Sequence, residues 1–112
     1  MTWEVATLDE FERWYLALDT NSRARVYDRV TQLEQDGPSL GRPVVETMKS
    51  SRHPNMKELR SGTIRVRFIF DPTSNAVLLL GGDKRGDWSG WYEMNVPRAD
   101  DLYDDYLNDT RR

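Results

Sequence analysis

The sequence has no cysteine and a single histidine. The first absence excludes disulfide scaffolds, thiolate zinc sites and cysteine nucleophiles together. The second excludes a metal site built on several histidines. No apolar stretch exceeds five residues, and a membrane helix needs about 20, so no span is expected. Met1-Thr2-Trp3-Glu4 lacks the basic-then-apolar pattern of a secretory signal. These absences leave a small cytoplasmic domain, with no metal and no cofactor expected, whose chemistry rests on Arg, Lys, Asp, Glu, Tyr and the lone His53. What is present suits one core: 112 residues with four tryptophans, five tyrosines and three phenylalanines. Each buried ring removes roughly 150–250 Å² from water. A chain this long has room for one domain, spanning residues 1–112.

The net charge is −3, which taken whole argues mildly against nucleic acid. Its distribution argues the other way. Within residues 42–67, Arg42, Lys49, Arg52, Lys57, Arg60, Arg65 and Arg67 meet only Glu46 and Glu58, a net +5. Every flanking segment is acidic. A basic block in an acidic chain is the footprint of a phosphate-binding face. It is equally one half of an internal salt-bridge pattern, and charge alone does not choose.

Trp3 and Val5 alternate with Glu4 as in a short strand. Thr7-Leu8-Asp9-Glu10 has the form of a capping box, and Phe11, Trp14, Tyr15 and Leu18 follow at helical spacing. Asp19-Thr20-Asn21-Ser22 breaks this helix and offers caps for a second, striped by Val26, Val30 and Leu33 and ended by Gly37-Pro38. So short a break predicts an antiparallel helix hairpin. A loop-rich stretch follows over 38–54, with room for a short strand at 44–48. The period then changes to 2. Strands are predicted over 55–60 and 63–71 around a Ser61-Gly62 turn, and over 76–80. The unbroken apolarity of Ala76-Val77-Leu78-Leu79-Leu80 predicts a sheet centre covered on both faces. Residues 81–88 read as a loop, Trp91-Tyr92-Glu93-Met94 as a last short strand, and the chain from about Ala99 as a short C-terminal helix. The fold class is α+β: an N-terminal helix hairpin packed on a mostly antiparallel sheet of about four to five strands.

Strand parity places Leu59, Ile64, Val66, Phe68 and Phe70 on the helix face, and Glu58, Arg60, Arg65 and Arg67 on the other. Three guanidinium groups about 5 Å apart across a ladder repel unless an anion joins them, and one Glu58 neutralises only one. The pattern points to a polyanion site, against the plainer alternative of a solvated strand face. Arg65 is expected to lie clear of the core, so that its replacement leaves folding intact. Gly81-Gly82-Asp83-Lys84 lacks the P-loop pattern and reads as a turn that brings Lys84 and Arg85 to one sheet end. His53, just before Pro54, is the one group with an unperturbed pKa near neutrality, in a position where surface loop histidines are common. Trp88, Trp91 and Tyr92 suit either stacking on unpaired bases or filling the core. Asp100, Asp101, Asp104, Asp105 and Asp109 read as a solvated helix face.

Several segments together carry a family resemblance. They are Leu40-Gly41-Arg42-Pro43; Ser51-Arg52-His53-Pro54-Asn55-Met56-Lys57-Glu58-Leu59-Arg60; Ile64-Arg65-Val66-Arg67-Phe68-Ile69-Phe70-Asp71-Pro72; Gly81-Gly82-Asp83-Lys84; and Trp91-Tyr92 followed by Pro97, Ala99 and Asp100. Nearly the whole chain resembles the RelE/HigB-like toxins, in their phage-derived branch. The resemblance implies a fold like that of small microbial ribonucleases. It also implies a type II toxin that cuts mRNA without a metal, commonly in the ribosomal A site. Its partners would be mRNA, the ribosome and an antitoxin, usually a helix-turn-helix protein, with DNA reached only through that antitoxin and no membrane involved. The chemistry would be attack of the RNA 2′-OH on the adjacent phosphate, which needs cations on the transition state and groups that exchange protons.

On this resemblance Arg65 matches the catalytic strand arginine and Lys84 the basic residue after the next strand. Lys57 and Arg60 fall in the segment that contributes basic groups, although parity points Lys57 away from Arg65. His53 and Tyr92 are the remaining catalytic candidates. Arg42, Lys49, Arg52, Arg67, Arg85, Trp88 and Trp91 are the RNA-binding candidates. The chain departs from the family in its net negative charge and in lacking a C-terminal histidine, which shifts acid–base work to Lys, Arg and Tyr. Two alternatives remain: a ParE-like gyrase inhibitor, and a phage-derived module that only binds a partner.

Overall fold

The computed structural model describes residues 2–85 and 88–110. Strand β1 (Val5–Thr7) leads into helices α1 (Asp9–Leu16) and α2 (Thr20–Asp36), and a single 3₁₀ turn (Gly37–Ser39) follows. Strands β2 (Val45–Thr47), β3 (Lys57–Ser61), β4 (Ile64–Phe70) and β5 (Ala76–Asp83) come next, then helix α3 (Trp88–Thr110). The five strands form one sheet in the order β1-β5-β4-β3-β2. All pairings are antiparallel except β1 with β5, which is parallel. The α+β expectation of a helix hairpin on a mostly antiparallel sheet holds.

Local chemistry explains the helix hairpin. Asp19 caps α2 by accepting a hydrogen bond from the Ser22 backbone N–H at 2.6 Å, the role its side chain suits. Arg23 donates to the Leu16 and Leu18 carbonyls at 3.2 and 2.9 Å, closing the end of α1. The capping box expected at α1 does not form. Leu8 is the N-cap residue and has no side-chain cap bond; Thr7 belongs to β1 and donates instead to Glu12 at 2.8 Å. Glu10 is drawn away to pair with Arg98 of α3.

The helix-facing side of the sheet buries Val45, Leu59, Ile64, Val66, Phe68, Ala76 and Leu78 against Phe11, Val26 and Leu33, with Trp14, Leu18 and Val30 half-buried around them. The opposite side is not open. Met56, Ile69, Val77, Leu79 and Leu80 pack there against Ala99 and Tyr103 of α3. The prediction that β5 is covered on both faces is therefore met, by two separate apolar clusters. An irregularity between β4 and β5 pairs Arg67 with Leu80 but Phe68 with Leu78. The extra residue in β5 lets Leu79 and Leu80 both serve the α3 side.

Three expectations are corrected. The β3–β4 turn is Gly62-Thr63, with Ser61 opposite Ile64 and Arg60 opposite Arg65. Gly62 has a φ of 60°, as the first residue of a two-residue hairpin turn requires. Relative to a Ser61-Gly62 turn, every partner moves by two residues, an even step that leaves each side chain on its expected face. Gly81 and Gly82 lie inside β5 rather than in a loop. Finally, Trp91-Tyr92-Glu93-Met94 is helical, and α3 runs 23 residues through Pro97. Its docking residues Ala99, Tyr103, Tyr106 and Leu107 recur at helical spacing.

Candidate active site

One carboxylate organises the end of the sheet under α3. Glu58 and Arg60 come from β3, Arg65 and Arg67 from β4, and pleating turns all four to the α3 side. Glu58 is completely buried. Its Oε1 lies 3.0 Å from Arg60 Nε and 3.2 Å from Arg65 Nε, and its Oε2 lies 3.2 Å from Arg67 Nη2. Tyr92 of α3 donates its hydroxyl hydrogen to Oε1 at 2.9 Å. Lys84, where the chain leaves β5, donates to the Tyr92 oxygen at 3.2 Å. The Lys84 backbone is fixed by a 3.1 Å bond from its N–H to the Thr63 carbonyl in the β3–β4 turn. Four cationic side chains thus surround one anion.

Burial makes this charge imbalance matter. Arg65 is 6% exposed, Lys84 3% and Arg67 0%, while about a third of the Arg60 side chain, 32%, is reachable. Arg65 Nη1 donates to the Gly62 and Ile64 carbonyls at 2.5 and 3.0 Å. Among the described residues, Arg67 Nε and Nη1 have no hydrogen-bond acceptor, and its guanidinium sits 5.4 and 5.2 Å from the Trp91 and Tyr92 ring centres. Those aromatic faces are the partners that a buried cation can use. Burial draws the Arg67 pKa down, with Glu58 opposing. Burial likewise lowers the Lys84 pKa, and the neighbouring Arg65 charge lowers it further.

The two glycines of β5 make the aromatic roof possible. A Cβ on Gly82 would run into the Trp91 indole, and one on Gly81 would run into the Trp14 ring on the opposite face. Each glycine admits one tryptophan to a different side of the sheet.

Comparison with known proteins decides the family. Residues 13–104 match the family described as "Phage derived protein Gp49-like (DUF891)". The chain is 49% identical over 105 residues to the Mycobacterium tuberculosis protein named "Putative toxin HigB3", covering 92% of each chain. The chain belongs to the RelE/HigB-like toxin family. A second M. tuberculosis relative, "Putative toxin HigB2", is 37% identical over 107 residues; the match covers 91% of this chain but 53% of that protein. Solved structures agree on the fold. A variant of the Escherichia coli toxin RelE in the free state superposes with a TM-score of 0.63 at 14% identity, covering 88% of this chain and 98% of that one. The toxin–antitoxin complex RelBE2 of M. tuberculosis gives 0.60 at 16% identity, covering 74% and 99%.

Within this RelE/HigB-like fold the structure gathers Arg60, Arg65, Lys84 and Tyr92 of the catalytic candidates, and Arg67 and Trp91 of the RNA-binding ones. Arg67 is fully enclosed, so it shapes the site from beneath rather than presenting a surface. Arg65 is not clear of the core, and the expectation that its replacement leaves folding intact is withdrawn. Lys57 pairs with Phe68 on the helix side, as parity requires, and donates to Thr47 at 3.2 Å. His53 stands apart, with Nε2 2.9 Å from Asp104 and its ring edge-on to Tyr103. Arg52 pairs with Asp101 and Asp104, Arg42 with Glu46 and Arg85 with Asp83. Lys49 is exposed, and the Trp88 side chain lies outside the described residues. The acids of α3 are not merely a solvated face: Asp100 is buried and accepts bonds from Ser51 and the Arg52 backbone. The basic block is divided: Arg42 and Arg52 in its first half are salt-bridged to acids, while Arg60, Arg65 and Arg67 at its C-terminal end cluster around Glu58.

Sequence reasoning undervalued Glu58, treating it as a counter-charge rather than the centre of the site. The available signal was a lone acid two residues from Arg60 within a predicted arginine-rich face.

Proposed function

We propose that this toxin of a toxin–antitoxin system cuts mRNA without a metal, on the ribosome, and is neutralised by a helix-turn-helix antitoxin. The observation that carries the reading is four cations, mostly shielded from solvent, around a single carboxylate. Such a site attracts a phosphate and repels a divalent metal ion, so the guanidinium groups take over the charge stabilisation that a metal would otherwise give. Three of the structural relatives are complexes of a RelE-type toxin with its antitoxin, which supports a cognate protein partner.

In the proposed reaction the 2′-oxygen forms a bond to phosphorus and the bond to the 5′-oxygen breaks, leaving a cyclic phosphate and a 5′-hydroxyl. Arg60 and Arg65 hold the non-bridging oxygens as negative charge develops on them. The 2′-hydroxyl gives its proton to a solvent water, and a proton must reach the departing 5′-oxygen. Lys84 suits the second task, because its lowered pKa makes its proton easier to give. The Tyr92 hydroxyl accepts from Lys84 and donates to Glu58, which holds the Lys84 ammonium beside the two arginines.

The test is cleavage of a defined message in a translation extract, with the ends mapped. Cyclic phosphate and 5′-hydroxyl termini, lost in Arg65→Lys and Lys84→Met, support the reading. Intact RNA alongside arrested DNA gyrase would overturn it in favour of a gyrase-binding toxin.

A further inference from the structure

Arg60 and Arg65 are direct cross-strand partners, which puts two like charges about 5 Å apart at their Cβ atoms. Glu58 resolves that conflict in a particular way. Its Oε1 accepts a hydrogen bond from Arg60 Nε–H at 3.0 Å and lies 3.2 Å from Arg65 Nε as an ion pair, that N–H having no hydrogen-bond acceptor among the described residues. Arg65 Nη1 is engaged by the Gly62 and Ile64 carbonyls. No hydrogen bond or ion pair among the described residues engages Arg65 Nη2 or either Nη of Arg60. A guanidinium has five N–H donors in a fixed fork, so holding one edge fixes where the other points. Arg60 is also the most exposed of the four cations at the site. Glu58 has no exposure and cannot itself touch RNA.

We infer that Glu58 is a positioning residue for the phosphate, an inference that rests on the ribonuclease reading. It holds Arg60 at Nε and draws Arg65 alongside by charge, leaving both Nη groups of Arg60 and Nη2 of Arg65 as a preformed seat for two non-bridging oxygens. Its carboxylate has a second effect. It weakens the pull of the cations on the ground-state phosphate while keeping the forks aimed for the more highly charged transition state.

The discriminating variant is Glu58→Gln, which keeps the shape and removes the charge. Inorganic phosphate, followed by calorimetry, should bind about tenfold more tightly, because one nearby anion has been removed from the seat. KM for a short RNA should fall in parallel. The turnover number should fall on the order of 10²-fold as the forks lose their alignment. A merely structural Glu58 behaves differently: partial unfolding lowers the active fraction, and with it the apparent turnover, but leaves KM and phosphate affinity unchanged. That result overturns the inference.

A measurement on the wild-type protein covers the case in which Glu58→Gln does not fold. Phosphate titrated into the ¹⁵N-labelled chain should shift the Nη resonances of Arg60 and the Nη2 resonance of Arg65, while the Arg60 Nε–H signal stays protected from exchange. Phosphate that displaces the Arg60 Nε–H signal first refutes the division of edges. If the wild type binds phosphate in the expected way but cuts no RNA, the ribonuclease reading falls while the anion seat stands.

Discussion

Arg65→Ala separates folding from chemistry at this site, and its cost can be worked from the contacts. The side chain is 6% exposed, donates to two backbone carbonyls and lies 3.2 Å from Glu58. Hydrogen bonds from a charged donor are worth about 1.5–3 kcal/mol each, so the two carbonyl bonds set the upper scale. Two effects oppose the loss. Glu58 keeps Arg60 and Arg67 as partners, so no carboxylate is stranded, and the Arg60–Arg65 repulsion disappears. The net loss should be about 2–3 kcal/mol, which lowers Tm by about 10 °C in a domain of this size. RNA cleavage measured at 25 °C, where the variant is still folded, should fall on the order of 10²–10³-fold, as when an oxyanion-hole donor is removed. Arg65→Lys should recover part of the stability but little activity, because an ammonium cannot bridge two oxygens as the fork does. Thermal melts and a cleavage assay on the same preparations decide the matter. A Tm within about 1 °C of wild type would refute the bonded, enclosed Arg65 on which the magnitude depends.

Gly82→Val should expel the Trp91 indole from its place against β5, costing about 1–3 kcal/mol as an overpacked core does; an unchanged near-ultraviolet circular dichroism spectrum would contradict this. Trp14→Ala should cost about 3 kcal/mol, the low end for a tryptophan because the ring is only half-buried, and denaturant titration reads it directly. Tyr106 donates to Asp71 at 2.8 Å, and burial together with that bond pushes its phenol up to about 12. Tyr106→Phe should therefore lose about 1 kcal/mol and remove one tyrosine titrating at about 12 from an alkaline absorbance scan. Burial pushes the Asp71 carboxyl up, but bonds from Asn75, Tyr106 and Thr73 outweigh it and leave the pKa below 3.8. Arg52 and then His53 hold Asp104 low as well. Depressed carboxylates add stability above the unfolded value that is lost as pH falls through the folded one. Melts between pH 5 and pH 2, roughly the range in which such carboxylates titrate, should show a Tm decline that is shallower in Asp71→Asn than in the wild type.

The helix hairpin and the strand faces were legible because each rests on a repeated pattern. Phe11, Trp14 and Leu18 recur on one helical face, and Ile64, Val66 and Phe68 on one side of a strand. Even the misplaced turn did no harm, since an even shift preserves the face. The extent of α3 was not legible, for a local reason. Pro97 reads as a helix breaker and Trp91-Tyr92 reads as strand. Both preferences are overridden by tertiary contacts: Trp91 against Gly82, Tyr92 on Glu58 and Tyr103 in the lower cluster. A glycine pair in a strand gives no hint in sequence of which side chain will fill the space it leaves.

The same helix explains how an acidic chain keeps a cationic centre. Asp100, Asp101 and Asp104 lie along α3 and tie down Ser51, Arg52 and His53. The approach to β3 is thereby neutralised and anchored. Earlier in α3, among the described residues, Trp91 and Tyr92 bring ring faces and a hydroxyl to Arg67, Lys84 and Glu58 but no carboxylate. Charge is thus sorted along one helix, with acids where a loop must be held and aromatics where cations must stay available. Net charge averages over that sorting, which is why a total of −3 says little about the site. The arrangement also implies that salt acts unevenly. Raising ionic strength screens the exposed Arg52 pairs far more than the enclosed Glu58 cluster, so the loop carrying His53 should loosen before the cation site does.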